Sequence, residues 1–464
     1  MILSPQPAKF TPAREILDVT GIGDPVAPAS FPHHILRYRN DRWAQSIGLA
    51  GLSDTEWIDH FGRFASLEGS LEKPLALRYH GHQFRVYNPD IGDGRGFLFA
   101  QMRDHLGRLM DLGTKGSGQT PYSRFGDGRL TLKGGVREIL ATEMLEALGV
   151  HTSKTFSLIE TGEALERNDE PSPTRGAVLV RLSHSHIRIG SFQRAAALQD
   201  EALLEALTDY ALTKLYNTTP GDNPAAQLLG LVVERTADLA ASYMIAGFVH
   251  GVLNSDNINV TGESFDYGPW RFTPLWEPGF TAAYFDHQGL YAFARQAEAI
   301  HWDVAQLALS LRTLSETEPL VEALNLFPDL YAAAMRRRFC WRLGVAERDI
   351  NVTSALTESA VRAMMESKTP VDRFFFDWRG GTLRNPEAAG RYAGPEWAEF
   401  RQQIAPFANP AAARHPYWQG NAPCSMHIDE VEAIWAAIDG RDDWSPLDAK
   451  IAEINMLREA MSQA

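Results

Sequence analysis

The spacing of apolar positions changes near residue 190. From Leu75 to Arg188 the apolar residues come in short runs, FLFAQM, TFSLIE and AVLVRL among them, separated by glycine and polar turns. Such runs bounded by turn residues predict strands and tight connections. One helix is expected among them: Val136, Ile139, Leu140, Met144, Ala147 and Leu148 form a stripe, and Gly149 suits its C-terminal end. Beyond Arg188 the period becomes helical, in LQDEALLEALTDYALTKLY, LLGLVVERTADLAASYMIAGFV and FARQAEAIHWDVAQLALSLRTL. A short loop-and-strand patch, HGVLNSDNINVTGESFDYGP, interrupts these helices. Residues 1–74 are rich in Pro, Gly and aromatics, and Trp57–Leu71 looks helical. The pattern predicts an α+β chain in three stretches: an N-terminal extension (1–74), a strand-rich part (75–190) and a helical part (191–464).

Composition narrows the classes. Hydrophobic content of 44% and charged content of 22% suit a soluble globular chain with a sizeable core. A net charge of −14 argues against broad binding to nucleic acid or anionic membrane, while leaving room for a local basic pocket. No apolar stretch approaches the length of a membrane span, and the N-terminus has no signal-peptide pattern, so a cytoplasmic protein is expected. Cys340 and Cys424 are the only cysteines, which excludes a disulfide framework and a Cys-based zinc site; two free thiols is the plainer reading.

The polar patch carries the chemistry. Asn254-Ser-Asp256-Asn257 follows a long apolar helix, and Asp266-Tyr-Gly268 comes shortly after it. INV and ESF, joined at Thr261-Gly262, predict a tight hairpin that would return Asp266 beside Asn257. One carboxylate and one amide oxygen are hard ligands fit for Mg²⁺, which completes its shell with water and phosphates. Asp256 could then accept a proton from an incoming hydroxyl. Asn and Asp also cap turns, which is the alternative for all three.

Lys115 ends a strand-like run among glycines, in LMDLGTKGSG, where it could meet phosphate oxygens, although no Walker loop surrounds it and, taken by itself, a surface lysine is the plainer reading. Glu138 could pair with it from the early part of the expected helix, with Glu143 as rival and a solvated glutamate as alternative. Gly92-Asp-Gly94-Arg95-Gly96 could cover phosphates or be a plain turn. Arg181 and Arg188 could clamp phosphate oxygens or lie solvated on an edge strand. The pairs His33/His34, His80/His82 and His184/His186 lack a third ligand at zinc spacing.

Glycine loop, strand lysine, helix glutamate, polar Asp/Asn loop and Asp-x-Gly come in the order found in protein kinases. The H-R-D triplet is absent, and Asp256 directly precedes Asn257 instead of standing five residues away. The segments YHGHQFRVYNPDIGDGRG, LGTKGSGQTPYSRFGDGR, REILATEMLEALGV, VRLSHSHIRIGSF and HGVLNSDNINVTGESFDYGP together resemble the selenoprotein O family, over roughly residues 75–310. The resemblance implies a two-lobed, protein-kinase-like (pseudokinase) fold, with a strand-rich N-lobe and a helical C-lobe. It implies ATP bound turned around, with AMP passed to Ser, Thr or Tyr hydroxyls of protein substrates and Mg²⁺ or Mn²⁺ as cofactor; a monomer is expected, though no feature of the sequence fixes the oligomeric state.

Carried over by motif, Asp256 is the proton acceptor, and Asn257 and Asp266 hold the metal. Lys115, paired to Glu138, and Arg181 and Arg188 contact phosphates. Gly92, Gly94, Arg95, Asp127 and Gly128 complete the nucleotide site. Family members carry a cysteine or selenocysteine near the C-terminus; this chain ends LREAMSQA, so a thiol switch of that kind is not expected.

Overall fold

The structure is a computed structural model that describes residues 8–168 and 170–462. In chain order its strands are β1 (Thr11–Ala13), β2 (Gly23–Pro25), β3 (Ile35–Arg39), β4 (Leu75–Leu77), β5 (Gly81–Gln83), β6 (Val86–Asn88), β7 (Leu98–Arg103), β8 (Leu109–Lys115), β9 (Leu130–Thr131), β10 (Lys154–Leu165), β11 (Thr174–Ser183), β12 (Phe248–Val249) and β13 (Arg271–Phe272). Every pairing among these strands is antiparallel. Nine strands make one sheet in the order β2-β4-β7-β8-β11-β10-β3, with β1 joined to β7 and β9 to β11. The segment before residue 75 is woven into it: β2 and β3 close its two edges, leaving no central strand exposed to another chain.

The sheet is covered on both faces, so β8 is buried along its whole length rather than at alternate positions. On one face Trp57 stacks on Phe156 at 4.8 Å and donates to Ser157 Oγ at 2.9 Å, within an apolar cluster that includes Phe61, Phe64 and Phe99. The helix expected over Trp57–Leu71 is shorter and earlier, Asp54–Phe61. Ser53 and Glu56 form a reciprocal capping box at its start, and the chain turns away after Gly62, with Phe64 in left-handed backbone.

The other face receives the helix Leu132–Ala147, capped by Thr131 Oγ1 accepting from Gly134 N at 3.1 Å and followed by Gly149 at φ 75°. Its expected apolar stripe is buried. So are Glu138, Glu143 and Glu146, which overturns the picture of solvated helix glutamates. The cause lies at the far end of the chain: helices Ile428–Arg441 and Ser445–Ser462 pack on the outer side of this helix.

Helices begin at once after Arg188, with Ile189–Ala197 and then Glu201–Tyr210. The helical part is organised around Pro224–Ala246, against which Gln296–Ser310, Thr317–Leu324 and Phe327–Leu343 pack. Its ends follow local rules. Asn223 Oδ1 accepts from Ala226 N at 3.1 Å, Pro224 occupies the first turn, and Gly247 closes it in left-handed backbone at φ 69°. β12 leaves directly from Gly247 and pairs with β13, so the strand pair brackets residues 250–270 and holds the polar segment at the foot of this helix. The C-terminal residues form an aromatic cluster around Phe374, Trp397 and Phe400. No helix among the described residues is long and apolar enough to cross a membrane.

Candidate active site

A cleft of about 750 Å³ opens between the sheet and the polar segment. Ten residues singled out from sequence line it: Gly92, Gly94, Arg95, Lys115, Asp127, Gly128, Arg181, Arg188, Asp256 and Asp266. Glu138 stands behind Lys115, and Asn257 beside Asp256, neither on the cleft wall itself.

The sheet delivers the cations. Lys115 ends β8, and Arg181 on neighbouring β11 lies opposite Gly113, two residues before the lysine. Lys115 is buried and pairs with Glu138 from the helix below and with Asp266 at 2.9 Å. Glu143, the rival partner, is taken elsewhere: it accepts from Tyr38 Oη at 2.9 Å and Asn40 Nδ2 at 3.1 Å, and pairs with Arg458. Arg181 approaches Asp266 at 3.7 Å. Burial works against charge on Asp266, but Lys115, Arg181 and Arg95 hold its carboxyl well below the usual carboxylate range. Its backbone lies at φ 65°, a conformation uncommon outside glycine and found disproportionately at functional positions.

Arg188 is 2% exposed, with Nη1 donating to Asp256 O at 3.0 Å and Nη2 3.5 Å from Asp93 Oδ1. Its guanidinium lies over Tyr79 at 4.1 Å and Phe265 at 4.8 Å, and Arg181 lies over Phe265 at 5.0 Å. Arg181 Nη1 and Arg188 Nε are buried with no hydrogen-bond partner. Two unsatisfied cationic donors lining one cleft are costly unless an anion completes them, and phosphate oxygens have the right chemistry.

Asp256 is 7% exposed, and its Oδ1 is likewise without a partner. Burial raises its pKa to about 6, with Arg188 pulling the other way and Asp266 adding to the rise. Asn257 Nδ2 donates to Val252 O at 3.0 Å, which leaves its amide oxygen as the end a cation would take. Asn257 and Asp266 offer two hard oxygens, a set that suits Mg²⁺ sharing phosphate and water ligands. Among the described residues no three or more His, Cys, Asp or Glu side chains form a closed metal cage.

The expected hairpin between INV and ESF does not form. A turn closes there, Gly262 N donating to Asn259 O at 2.9 Å, but its arms pair outward: Asn259 bridges Arg188 and Ser264 bridges Thr152. Partners from the segments that flank β10 and β11 thus hold Asp266 near Lys115, which local alternation alone could not foretell.

The glycine loop is shaped by contact. A side chain at Gly92 would fall 2.5 Å from the Tyr122 ring, so Tyr122 lies directly on the loop. Asp127 pairs with Arg167 at 2.9 Å at the cleft rim. The histidine pairs are used singly: His80 meets Tyr87 Oη at 2.6 Å, His82 meets Gln193 at 2.6 Å, and His186 N donates to Asp111 at 3.0 Å. Sequence reasoning missed Tyr79, Asp93 and Phe265 as site residues. Each adjoins or lies within a motif already singled out, so adjacency was the signal.

A polar cleft that gathers Lys115, Arg181 and Arg188 with the carboxylates of Asp256 and Asp266 has the chemistry of a site for a phosphate-bearing substrate. Residues 8–455 match the model of the family described as protein adenylyltransferase SelO. The chain belongs to that family, whose members are protein nucleotidyltransferases. It is 39% identical over 459 residues to protein nucleotidyltransferase YdiU of Synechocystis sp., covering 93% of this chain and 94% of that one. The protein of the same name from Gloeobacter violaceus is 43% identical over 440 residues, covering 91% and 90%. That from Synechococcus elongatus is 41% identical over 451 residues, covering 92% and 91%.

Proposed function

We propose that this enzyme transfers AMP from ATP to Ser, Thr or Tyr hydroxyls of protein substrates, with Mg²⁺ as cofactor and Mn²⁺ as its substitute. The observation that carries the reading is the pairing of orphaned donors on Arg181 and Arg188 with an orphaned acceptor on Asp256. The arginines and Lys115 hold the outer phosphates, with Gly92, Gly94, Arg95, Asp127 and Gly128 around the remainder of the nucleotide. Asp256 takes the acceptor proton while the hydroxyl oxygen bonds to the α-phosphorus; the bond to the β-phosphate oxygen breaks and pyrophosphate leaves. Asn257 and Asp266 would hold the metal, which supplies charge neutralisation for the leaving phosphates. Glu138 keeps Lys115 oriented.

The same reading gives the fold its sense. It is a protein-kinase-like arrangement in which residues 75–190 form the nucleotide-binding lobe and 191–464 the helical lobe. Residues 1–74 are an extension that lends strands to the sheet. The protein acts as a cytoplasmic monomer. The sheet with its Lys115–Glu138 pair, set across a cleft from the Asp256 segment, supports this division.

The test is which phosphorus moves. Incubation with Mg²⁺ and ATP labelled at the α or the γ position should leave only α label on protein, with an adenylyl mass increment on a hydroxyl residue. Retained γ label would mean an ordinary kinase, and no label despite ATP binding a silent one. Asp256→Ala should bind ATP yet transfer about 10²–10⁴-fold more slowly.

A further inference from the structure

The β5–β6 hairpin stands outside the main sheet, and its turn residues Phe84 and Arg85 lie at φ 50° and 63°. Both adopt the left-handed backbone that favours glycine, so something else must hold them there. The restraints come from the helical part. Phe84 N donates to Asn254 Oδ1 at 3.0 Å, and its ring packs on Tyr291 at 5.0 Å and Phe285 at 5.8 Å. Arg85 pairs with Glu298 at 2.9 Å and lies 5.4 Å over Trp302.

The other end of the hairpin rests on the next two residues of the polar segment. His82 N donates to Ser255 Oγ at 2.7 Å, and Ser255 Oγ donates to Gln193 Oε1 at 2.6 Å. Gln193 Nε2 meets His82 Nδ1 at 2.6 Å, closing a ring of contacts around Ser255, which is fully buried. Tyr291 Oη also donates to Asn254 Oδ1, at 2.7 Å. Gly81 has no room for a side chain: a methyl there would fall 2.8 Å from both Cβ and Oδ1 of Asp256.

Oδ1 of Asp256 is buried and unpartnered, so no hydrogen bond at that oxygen sets the carboxylate's direction. A wall of backbone beside it, with the Gln83 side chain of the same hairpin bonded to the carboxyl, can set it instead and leaves Oδ1 free to accept a proton. We infer that the Gly81–Asn88 hairpin is the element that positions the Asp256 carboxylate. Its Gly81 backbone is the wall, and Asn254 and Ser255 are positioning residues that lock the hairpin to the segment. The inference rests on Asp256 being the proton acceptor of the proposed reaction.

Gly81 lies outside the left-handed region, so Gly81→Ala adds a methyl against Asp256 without backbone strain. In the full-length protein this variant should lower kcat for AMP transfer by about 10–100-fold, part of the full contribution of a general base. Its KM for ATP and its ATP-induced rise in Tm should stay at parental values. Ser255→Ala, which cuts the ties to His82 and Gln193, should show the same split between kcat and KM. If Gly81→Ala loses the ATP-induced rise in Tm, Ser255→Ala decides by that split alone. Parental kcat in these variants, or a raised KM at unchanged kcat, overturns the inference while a slow Asp256→Ala leaves the proposed reaction standing. Parental transfer by Asp256→Ala overturns the reading of Asp256 itself.

Discussion

Replacing Arg188 with lysine keeps a positive charge and removes the planar fork. Nη1 serves Asp256 O at 3.0 Å, Nη2 sits 3.5 Å from Asp93, and Nε has no hydrogen-bond partner. A single ammonium cannot hold the Asp256 carbonyl and also reach a phosphate from the other side, nor stack between Tyr79 and Phe265. A hydrogen bond to a charged group contributes about 1.5–3 kcal/mol, so Arg188→Lys should weaken ATP binding by about 10- to 150-fold. The ATP-induced stabilisation falls by the same energy at saturating ligand. Unfolding entropy of about 2.1 cal/mol/K per residue over 464 residues is about 1 kcal/mol/K, so the ATP-induced rise in Tm should shrink by about 1.5–3 °C. Thermal-shift titration with Mg²⁺ and ATP, each variant referred to its own unliganded Tm, reads this directly, and titration calorimetry checks the affinity. Arg188→Ala should do at least as badly. ATP affinity equal to the parent's in Arg188→Lys would show that the arginine only shapes the loop around Asp256.

Asp266→Ala removes a metal oxygen and releases Lys115 and Arg181, so ATP should stabilise the variant no better with Mg²⁺ than with chelator; a surviving metal-dependent increment would place the ligand elsewhere. Glu138→Gln and Glu143→Gln should separate cleanly. The first weakens ATP binding through Lys115, while the second removes one of the two carboxylates facing buried Arg458, leaving Glu146 at 3.6 Å, and costs about 1–3 kcal/mol of stability with ATP affinity kept, as denaturation and ATP titration would measure. Cys340 and Cys424 are free and buried, and burial pushes both thiols up, Cys340 to about 12. Neither should react with a maleimide at neutral pH until the protein is unfolded, which intact-mass spectrometry would reveal.

Much of the architecture was legible because its causes are local. Asn223-Pro224 starts the central helix and Gly247 stops it by capping rules that involve only neighbouring residues. The apolar runs around Leu98, Leu109 and Val178 become strands because turn residues bound them. The motifs also come together in space, since ten of the residues singled out line one cleft. Distant partners decided the rest. Glu138 and Glu143 lie on the same helix, and nothing nearby distinguishes them. Arg458, 315 residues further on, takes Glu143 and leaves Glu138 to Lys115. The Thr261-Gly262 turn was visible, but not that Arg188 and Thr152 would claim its arms in place of each other. The first strands read as an irregular extension because each is three to five residues long, too short to show alternation, and only the edges of a sheet built later in the chain make them strands. Capping, turns and periodicity act over a few residues and are written in order along the chain. Which buried charge pairs with which, and which edge takes which strand, depends on surfaces that exist only once the chain has folded.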